Sequence, residues 1–199
     1  MNFQYGIFVM ALVCISFLIS CQNTDRTAHN SSLKSTIDST LGKKLILPTK
    51  LLVYSPFNDL EGDSATVFDS KYKLFTHINA SCGTCITHIK LWENLVLEFN
   101  KFKIPIILIC ESDDRFELLK YLCETGGVGK FSYPFFLDKE NEYIKRNQFM
   151  KKTQDFETVL TDKEYNILLL GNPTRSKEMK DLYMKIIKEL TAQKSVSSK

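Results

Sequence analysis

Apolar and polar residues alternate from position 41 onward in a pattern that indicates a folded domain containing both strands and helices. Residues 72–78 form a strand-like run, and the continuous β-branched run 104–110 is typical of a central parallel strand. Between these runs, large apolar side chains recur every three or four residues, which predicts a helix over 86–99 with one buried face. Its buried face comprises Ile86, Ile89, Trp92, Leu95, Val96 and Phe99.

Shorter segments complete the pattern. Residues 45–47 and 51–54 predict an irregular or β-rich lead-in, and further strands are predicted at 131–137, 156–160 and 165–170, the last two joined by the polar turn 161–164. Further helices are predicted after the capping residues Asp113 and Asp114, over 142–149, and over 179–190. Two βα units followed by a hairpin and a helix predict an α/β sandwich with a mixed central sheet flanked by helices.

The first forty residues differ in composition from this domain. Residues 7–19 are an apolar run too short to span a bilayer comfortably, so residues 1–20 are predicted to be a signal peptide. The run ends in Leu-Ile-Ser-Cys at 18–21, which resembles a bacterial lipobox, so lipidation of Cys21 is expected to anchor the protein to a membrane. Residues 21–40 are polar and predict a flexible tether, and residues 193–199 predict a polar tail. An ordinary signal peptide or membrane anchor, with Cys21 incidental, is the alternative.

Charge and composition exclude several kinds of function. The 199 residues are 44% hydrophobic, and the 26 basic and 23 acidic residues are well mixed, which gives no basic stripe for nucleic acid. The glycines at 126, 127 and 129 follow a helix, so they predict a turn and not a phosphate-binding loop. No cofactor and no nucleic-acid partner are therefore predicted.

The six cysteines separate into different roles. Cys14 lies in the signal peptide, while Cys110 and Cys123 occupy strand and helix positions typical of core residues. Cys82 and Cys85 form a Cys-x-x-Cys motif between a predicted strand and a predicted helix. The N–H groups at a helix N-terminus stabilise a thiolate, and the second sulfur one turn on is close enough to form a disulfide. This pair is the predicted redox site.

The order of elements, with the motif opening the first long helix, resembles the thioredoxin fold and within it the TlpA/ResA branch of exported thiol-disulfide proteins. Tyr-Pro-Phe-Phe-Leu-Asp at 133–138 resembles that branch's F-P-V-L-L-D segment, and Thr-Val-Leu-Thr-Asp at 158–162 resembles its T-F-L-I-D strand. Leu-Gly-Asn-Pro at 170–173 and the lipobox resemble the lipoprotein forms of Bacteroidetes-type bacteria. The resemblance implies a thioredoxin-like three-layer domain over 41–192, facing the periplasm, with surface exposure also open.

The resemblance implies thiol-disulfide exchange, in which Cys82 attacks and Cys85 resolves the mixed disulfide. The implied partners are thiols or disulfides of exported proteins and an unidentified electron donor. Residues 154–157 lack the cis-proline that the branch carries before its T-F-L-I-D strand, so this loop is predicted to be trans or remodelled. His88 stands where the branch often carries Glu; His88 and Phe156 are the residues expected to tune the dithiol.

Two other functions remain open from the sequence. The first is a non-catalytic thioredoxin-like binding module in which the Cys82–Cys85 disulfide is structural. The second is a copper-binding chaperone, because two thiols and the imidazole of His88 suit Cu(I). The leading prediction contains no metal site, and His77 is expected to pack or form hydrogen bonds.

Overall fold

The computed structural model of the chain describes residues 31–57 and 64–192. The chain divides into two units, Met1–Thr40 and Leu41–Lys199. In the first unit, residues 31–40 form helix α1, a helix that the predicted tether did not include. Hydroxyl groups of Thr36 and Thr40 donate to carbonyl oxygens one turn back, which shows how a polar sequence is accommodated in a helix. The predicted signal peptide, Cys14, Cys21 and the C-terminal tail lie outside the described residues.

The second unit is built on one six-stranded mixed sheet, with strand order β1-β4-β3-β2-β5-β6. The strands are β1 (Leu52–Tyr54), β2 (Lys73–Asn79), β3 (Ile106–Glu111), β4 (Phe135–Leu137), β5 (Thr158–Thr161) and β6 (Ile167–Leu170). Strands β2, β3 and β4 run parallel to one another, and the remaining neighbours pair antiparallel. The central strands β2 and β3 are buried from end to end except at their last residues, as the apolar sequence of β3 predicts, although β2 also buries Lys73, Thr76 and His77.

The helices of this unit are α2 (Ser64–Asp69), α3 (Gly83–Thr87), α4 (Ile89–Asn100), α5 (Glu117–Glu124), α6 (Glu142–Arg146) and α7 (Lys177–Ala192). Two 3₁₀ helices, η1 (Gln148–Lys152) and η2 (Gln154–Glu157), precede β5. The predicted apolar face of 86–99 is confirmed, since all six of its side chains are buried. The helix itself is divided at His88, which ends α3 and begins α4.

Several predicted boundaries are wrong, each for a local reason. The strand predicted over 131–137 is reduced to β4, because Pro134 has no N–H to give to a neighbouring strand. The helix predicted over 142–149 ends at Arg146 and continues as η1. The strand predicted from 156 begins at Thr158, because the preceding residues form η2. Helix α2 was not predicted by the sequence pattern.

The architecture confirms the predicted thioredoxin-like α/β fold. A parallel unit, β2–α4–β3, and an antiparallel unit, β5–β6–α7, join through the β2–β5 pair to give the order β3-β2-β5-β6. Because β5 runs against β2, its first residue, Thr158, lies opposite Thr76 at the middle of β2, and the residues before Thr158 approach the carboxyl half of β2. The carboxyl ends of β2 and β3 and the segment leading into β5 therefore meet at the same end of the sheet.

Among the described residues, no helix is both long and apolar enough to cross a membrane.

Candidate redox site

Cys82 lies three residues beyond the end of β2 and is the N-cap residue of α3. Its backbone is extended, with φ −106° and ψ 106°, and the backbone N–H of Cys85 donates to Cys82 Sγ over 3.3 Å. A disulfide joins Cys82 to Cys85, whose Cα atoms are 5.2 Å apart. Both cysteines are half-buried, so their places in the helix distinguish them better than their exposure does.

The segment just before the cysteines is fixed to the loop that follows β3. Ser81 Oγ accepts hydrogen bonds from the N–H groups of Asp113 (2.8 Å) and Asp114 (3.2 Å), and the N–H of Ser81 donates to Asn79 Oδ1 (2.9 Å). The N-cap residue of α5 is Phe116, and the carboxylate of Asp114, one of the two predicted capping residues, accepts from the N–H groups of Phe116 (3.0 Å) and Leu118 (3.0 Å) at the start of the helix. Ser81 thus connects the segment between β2 and Cys82 to the loop that leads into α5.

The disulfide opens into a cleft of about 520 Å³. Helix α4 and its N-cap line one side with His88, Leu91 and Trp92. The lining also includes η2 and the loop after β6, which contribute Gln154, Glu157, Asn172, Thr174 and Arg175. His77 and Glu111, from the ends of the two central strands, also line the cleft. The cleft thus places a disulfide beside charged side chains.

His77 is the buried charged group of this cleft. Its Nε2 lies 3.3 Å from Oε2 of Glu111 without the alignment of a hydrogen bond, and its Nδ1 lies 3.4 Å from Oε2 of Glu157. Burial lowers the pKa of His77, but its contacts with the two carboxylates outweigh burial and raise the pKa to about 9. The same contact with His77 lowers the pKa of Glu111. At neutral pH the imidazole is therefore a cation between two carboxylates.

The segment that takes the place of the proline is remodelled, as predicted. Residues Gln154–Glu157 form η2, and no cis peptide bond occurs among the described residues. Arg175 holds the start of η2 by donating to Oε1 of Gln154 over 2.7 Å. Just beyond η2, the hydroxyl groups of Thr158 and Thr76 form a buried hydrogen bond of 2.7 Å. The backbone facing the disulfide is thus fixed at both ends without a proline.

The structure brings together some of the predicted site residues. Cys82, Cys85 and His88 line the same cleft, whereas Phe156 is buried and lines it at no point; Glu157 faces the cleft in its place. Sequence reasoning missed Glu111 and Glu157. Their positions could have indicated them, because Glu111 is the last residue of β3 and Glu157 directly precedes β5, and both strands pair with β2. His77 is buried, which fits the prediction that it packs or forms hydrogen bonds, although its two carboxylate neighbours were not foreseen.

The described part of the chain contains neither a cluster of metal ligands nor a second cysteine pair joined by a disulfide. No three metal-ligating side chains converge there, and Glu111 and Glu157 contact opposite nitrogens of His77, so the three cannot share one ion. Cys110 and Cys123 are free and buried, which confirms their prediction as core residues. Burial raises the pKa of the Cys123 thiol to about 11 and that of Cys110 further still. Both thiols are therefore un-ionised at neutral pH.

The sequence matches no protein-family model and no curated protein. Solved structures with a similar fold include a candidate thiol:disulfide interchange protein DsbE from Chlorobium tepidum, at 12% identity and a TM-score of 0.49, covering 74% of this chain and 95% of that one. A thioredoxin domain of a thiol-disulfide oxidoreductase from Bacteroides vulgatus has 18% identity and a TM-score of 0.45, covering 74% and 97%. A candidate protein disulfide isomerase from Bacteroides thetaiotaomicron has 18% identity and a TM-score of 0.44, covering 74% and 88%. At identities of 12–18%, these structures are similar to this chain in fold alone.

Proposed function

We propose that this protein is a thiol-disulfide oxidoreductase of the TlpA/ResA type that reduces disulfides of exported proteins through Cys82 and Cys85. One observation carries the proposal: Cys82 caps a helix, accepts the N–H of Cys85 at its sulfur, and opens into a cleft. An N–H directed at the sulfur stabilises a thiolate, which is the attacking species in exchange. A purely structural disulfide needs neither the N-cap position nor the cleft.

The reduced protein would transfer two electrons in two exchange steps. The Cys82 thiolate attacks one sulfur of a substrate disulfide, forms a mixed disulfide, and releases a substrate thiolate that takes a proton from water. Cys85 then loses its proton and attacks Cys82 Sγ, which releases the second substrate thiol and leaves the Cys82–Cys85 disulfide. A dithiol donor on the same side of the membrane restores both thiols and is itself oxidised to a disulfide.

A lipid on Cys21 would hold this domain at the bacterial envelope membrane, facing the periplasm. The support is the lipobox-like sequence at 18–21, because a diacylglycerol thioether and an N-acyl chain together give stable anchoring. Labelling with a lipid precursor and fractionation of a Cys21→Ala variant test it. Loss of both the label and the membrane association is expected, and unchanged partition of the variant would contradict the anchor.

The competing function is a binding module with a structural disulfide. The observation that favours it is η2, which bears Glu157 in place of a proline. A reduction potential below about −300 mV, together with no alkylation of Cys82 at neutral pH, would establish that function. Mixed-disulfide trapping with Cys85→Ser, compared with Cys82→Ser as background, is the matching positive test. Partners recovered only with Cys85→Ser would support exchange, and equal recovery would support the binding module.

A further inference from the structure

His77 receives contacts from charged groups on two separate elements. Glu111 comes from the end of β3, and Glu157 comes from the end of η2. The side chains of Glu111 and Glu157 are 24% and 29% exposed, so both carboxylates contact His77 while remaining partly accessible to solvent. The imidazole itself is only 6% exposed. A single buried cation therefore bridges two elements that have no other charged connection to each other among the described residues.

The ring of His77 also packs near a buried aromatic ring. The aromatic ring of Tyr143, from α6, stacks on it with a centroid separation of 6.5 Å and an interplanar angle of 25°. Tyr143 is fully buried, and Lys145 of the same helix acts electrostatically on Glu111. The groups that face His77 are thus the two carboxylates and one aromatic ring. Each ring nitrogen therefore lies beside a different carboxylate, Nε2 beside Glu111 and Nδ1 beside Glu157.

The contact with Glu157 matters because Gln154 and Glu157 of η2 line the same cleft as the disulfide. Arg175 holds the start of η2 through Gln154, and its Nε lies 3.7 Å from Oδ1 of Asp155. His77 holds the end of η2 through Glu157. The contact from Arg175 is exposed, whereas the contact from His77 is buried and is therefore screened less by solvent and salt. The contact from His77 should therefore persist at salt concentrations that weaken the contact from Arg175 to Asp155.

We propose that the His77 imidazolium, held between Glu111 and Glu157, is a positioning residue that fixes η2 against the Cys82–Cys85 disulfide and so sets how a substrate polypeptide docks there. This inference rests on the proposed exchange reaction for its catalytic consequence. Without the charge, the carboxylates of Glu111 and Glu157 lose their shared counterion, and Glu157 turns to solvent with the end of η2. Docking weakens, while the sulfur chemistry of Cys82 is left intact.

The position of η2 is tested first by hydrogen exchange, in the full chain with the disulfide formed. His77→Gln is expected to lower the protection of amides in 154–158 by about tenfold, because a segment that loses such a contact opens more often. Lys177→Gln is the matched control, since it removes a cation from an exposed pair with Asp181 on α7 and leaves protection unchanged. Unchanged protection in His77→Gln overturns the proposal, whether or not the protein proves to be an oxidoreductase.

The catalytic consequence is measured as reduction of insulin disulfides with dithiothreitol as the electron donor. We expect His77→Gln to raise the KM for insulin by about fivefold or more with kcat within about twofold, because the substitution alters docking. The alkylation rate of reduced Cys82 by iodoacetamide, which needs no docking, is expected to stay the same. An altered kcat and alkylation rate with an unchanged KM would contradict a docking role.

A double-mutant cycle shows whether His77 acts through Glu157. The KM of the His77→Gln/Glu157→Gln variant should not exceed the larger of the two single-variant values, because the second change removes an interaction already lost. Multiplicative effects would overturn the coupling and make His77 a packing residue only.

Raising the pH past 9 removes the charge of His77 without a substitution. If His77→Gln fails to fold, a fall in the protection of amides 154–158 in the wild type above this pH replaces the hydrogen-exchange test of the variant. A wild type that reduces no insulin contradicts the proposed function separately.

Discussion

The free energy of unfolding should fall as pH rises from about 6.5 to about 9, and His77 should account for most of the fall. The pKa of His77 is raised from 6.5 to about 9 in the folded protein. Between these values the native state binds one proton more than the unfolded state, so unfolding becomes easier with increasing pH. Each pH unit in this window changes the free energy by about 1.4 kcal/mol, which gives about 3 kcal/mol in total. The stabilisation is complete below pH 6.5 and is lost above pH 9.

The assay is urea unfolding at fixed pH values between 5 and 10, with the disulfide intact, for the wild type and His77→Gln. Other groups titrate in this range, so the informative quantity is the difference between the two curves. That difference should be constant below pH 6.5 and shrink by about 3 kcal/mol by pH 9 to 10. Parallel curves, or a wild type that gains stability relative to His77→Gln as pH rises, would refute the reasoning.

The remaining predictions concern stability at neutral pH, each measured by urea unfolding. Trp92→Ala should cost about 3–5 kcal/mol, because Trp92 is only 2% exposed, and a cost below 1 kcal/mol would mean that the site collapses around the cavity. Thr76→Val should cost about 1–3 kcal/mol by leaving the Thr158 hydroxyl unpaired, whereas Thr76→Ser should recover most of the loss. Asp114→Ala should cost about 1 kcal/mol by uncapping α5, and Asp113→Ala, which removes an exposed carboxylate, should cost almost nothing. Equal effects at positions 113 and 114 would count against the capping role.

The sequence predicted the central elements because burial of a helix or strand fixes the spacing of apolar residues along the chain. The apolar run 104–110 and the spacing of apolar residues in 86–99 reflect a strand buried on both faces and a helix buried on one. Such patterns do not show where the backbone changes direction within an element. The interruption at His88 leaves the apolar spacing intact, so the pattern predicted one helix where the structure has α3 and α4.

The cysteine site and its surroundings differ in how far the sequence could predict them. Cys82 and Cys85 are three positions apart along the chain, so their proximity follows from local geometry. Glu111 and Glu157 meet at His77 only because β3 and β5 both lie beside β2. That meeting depends on strand order, and it could not be derived from spacing along the chain. The sequence shows that residues 154–157 lack the proline that the family resemblance predicts. It does not show that Glu157 lines the cleft there.

The most direct test of the central claim is the reaction of Cys82 with a disulfide when Cys85 cannot resolve the product. The Cys85→Ser variant, reduced and then mixed with oxidised glutathione at pH 7, should gain one glutathione per chain, located on Cys82 by mass spectrometry of its peptides. The Cys82→Ser variant should gain almost none over the same time, because the N–H contact at the helix start belongs to Cys82. Equal labelling of the two variants, or none in either, would contradict the account of Cys82 as the attacking thiolate.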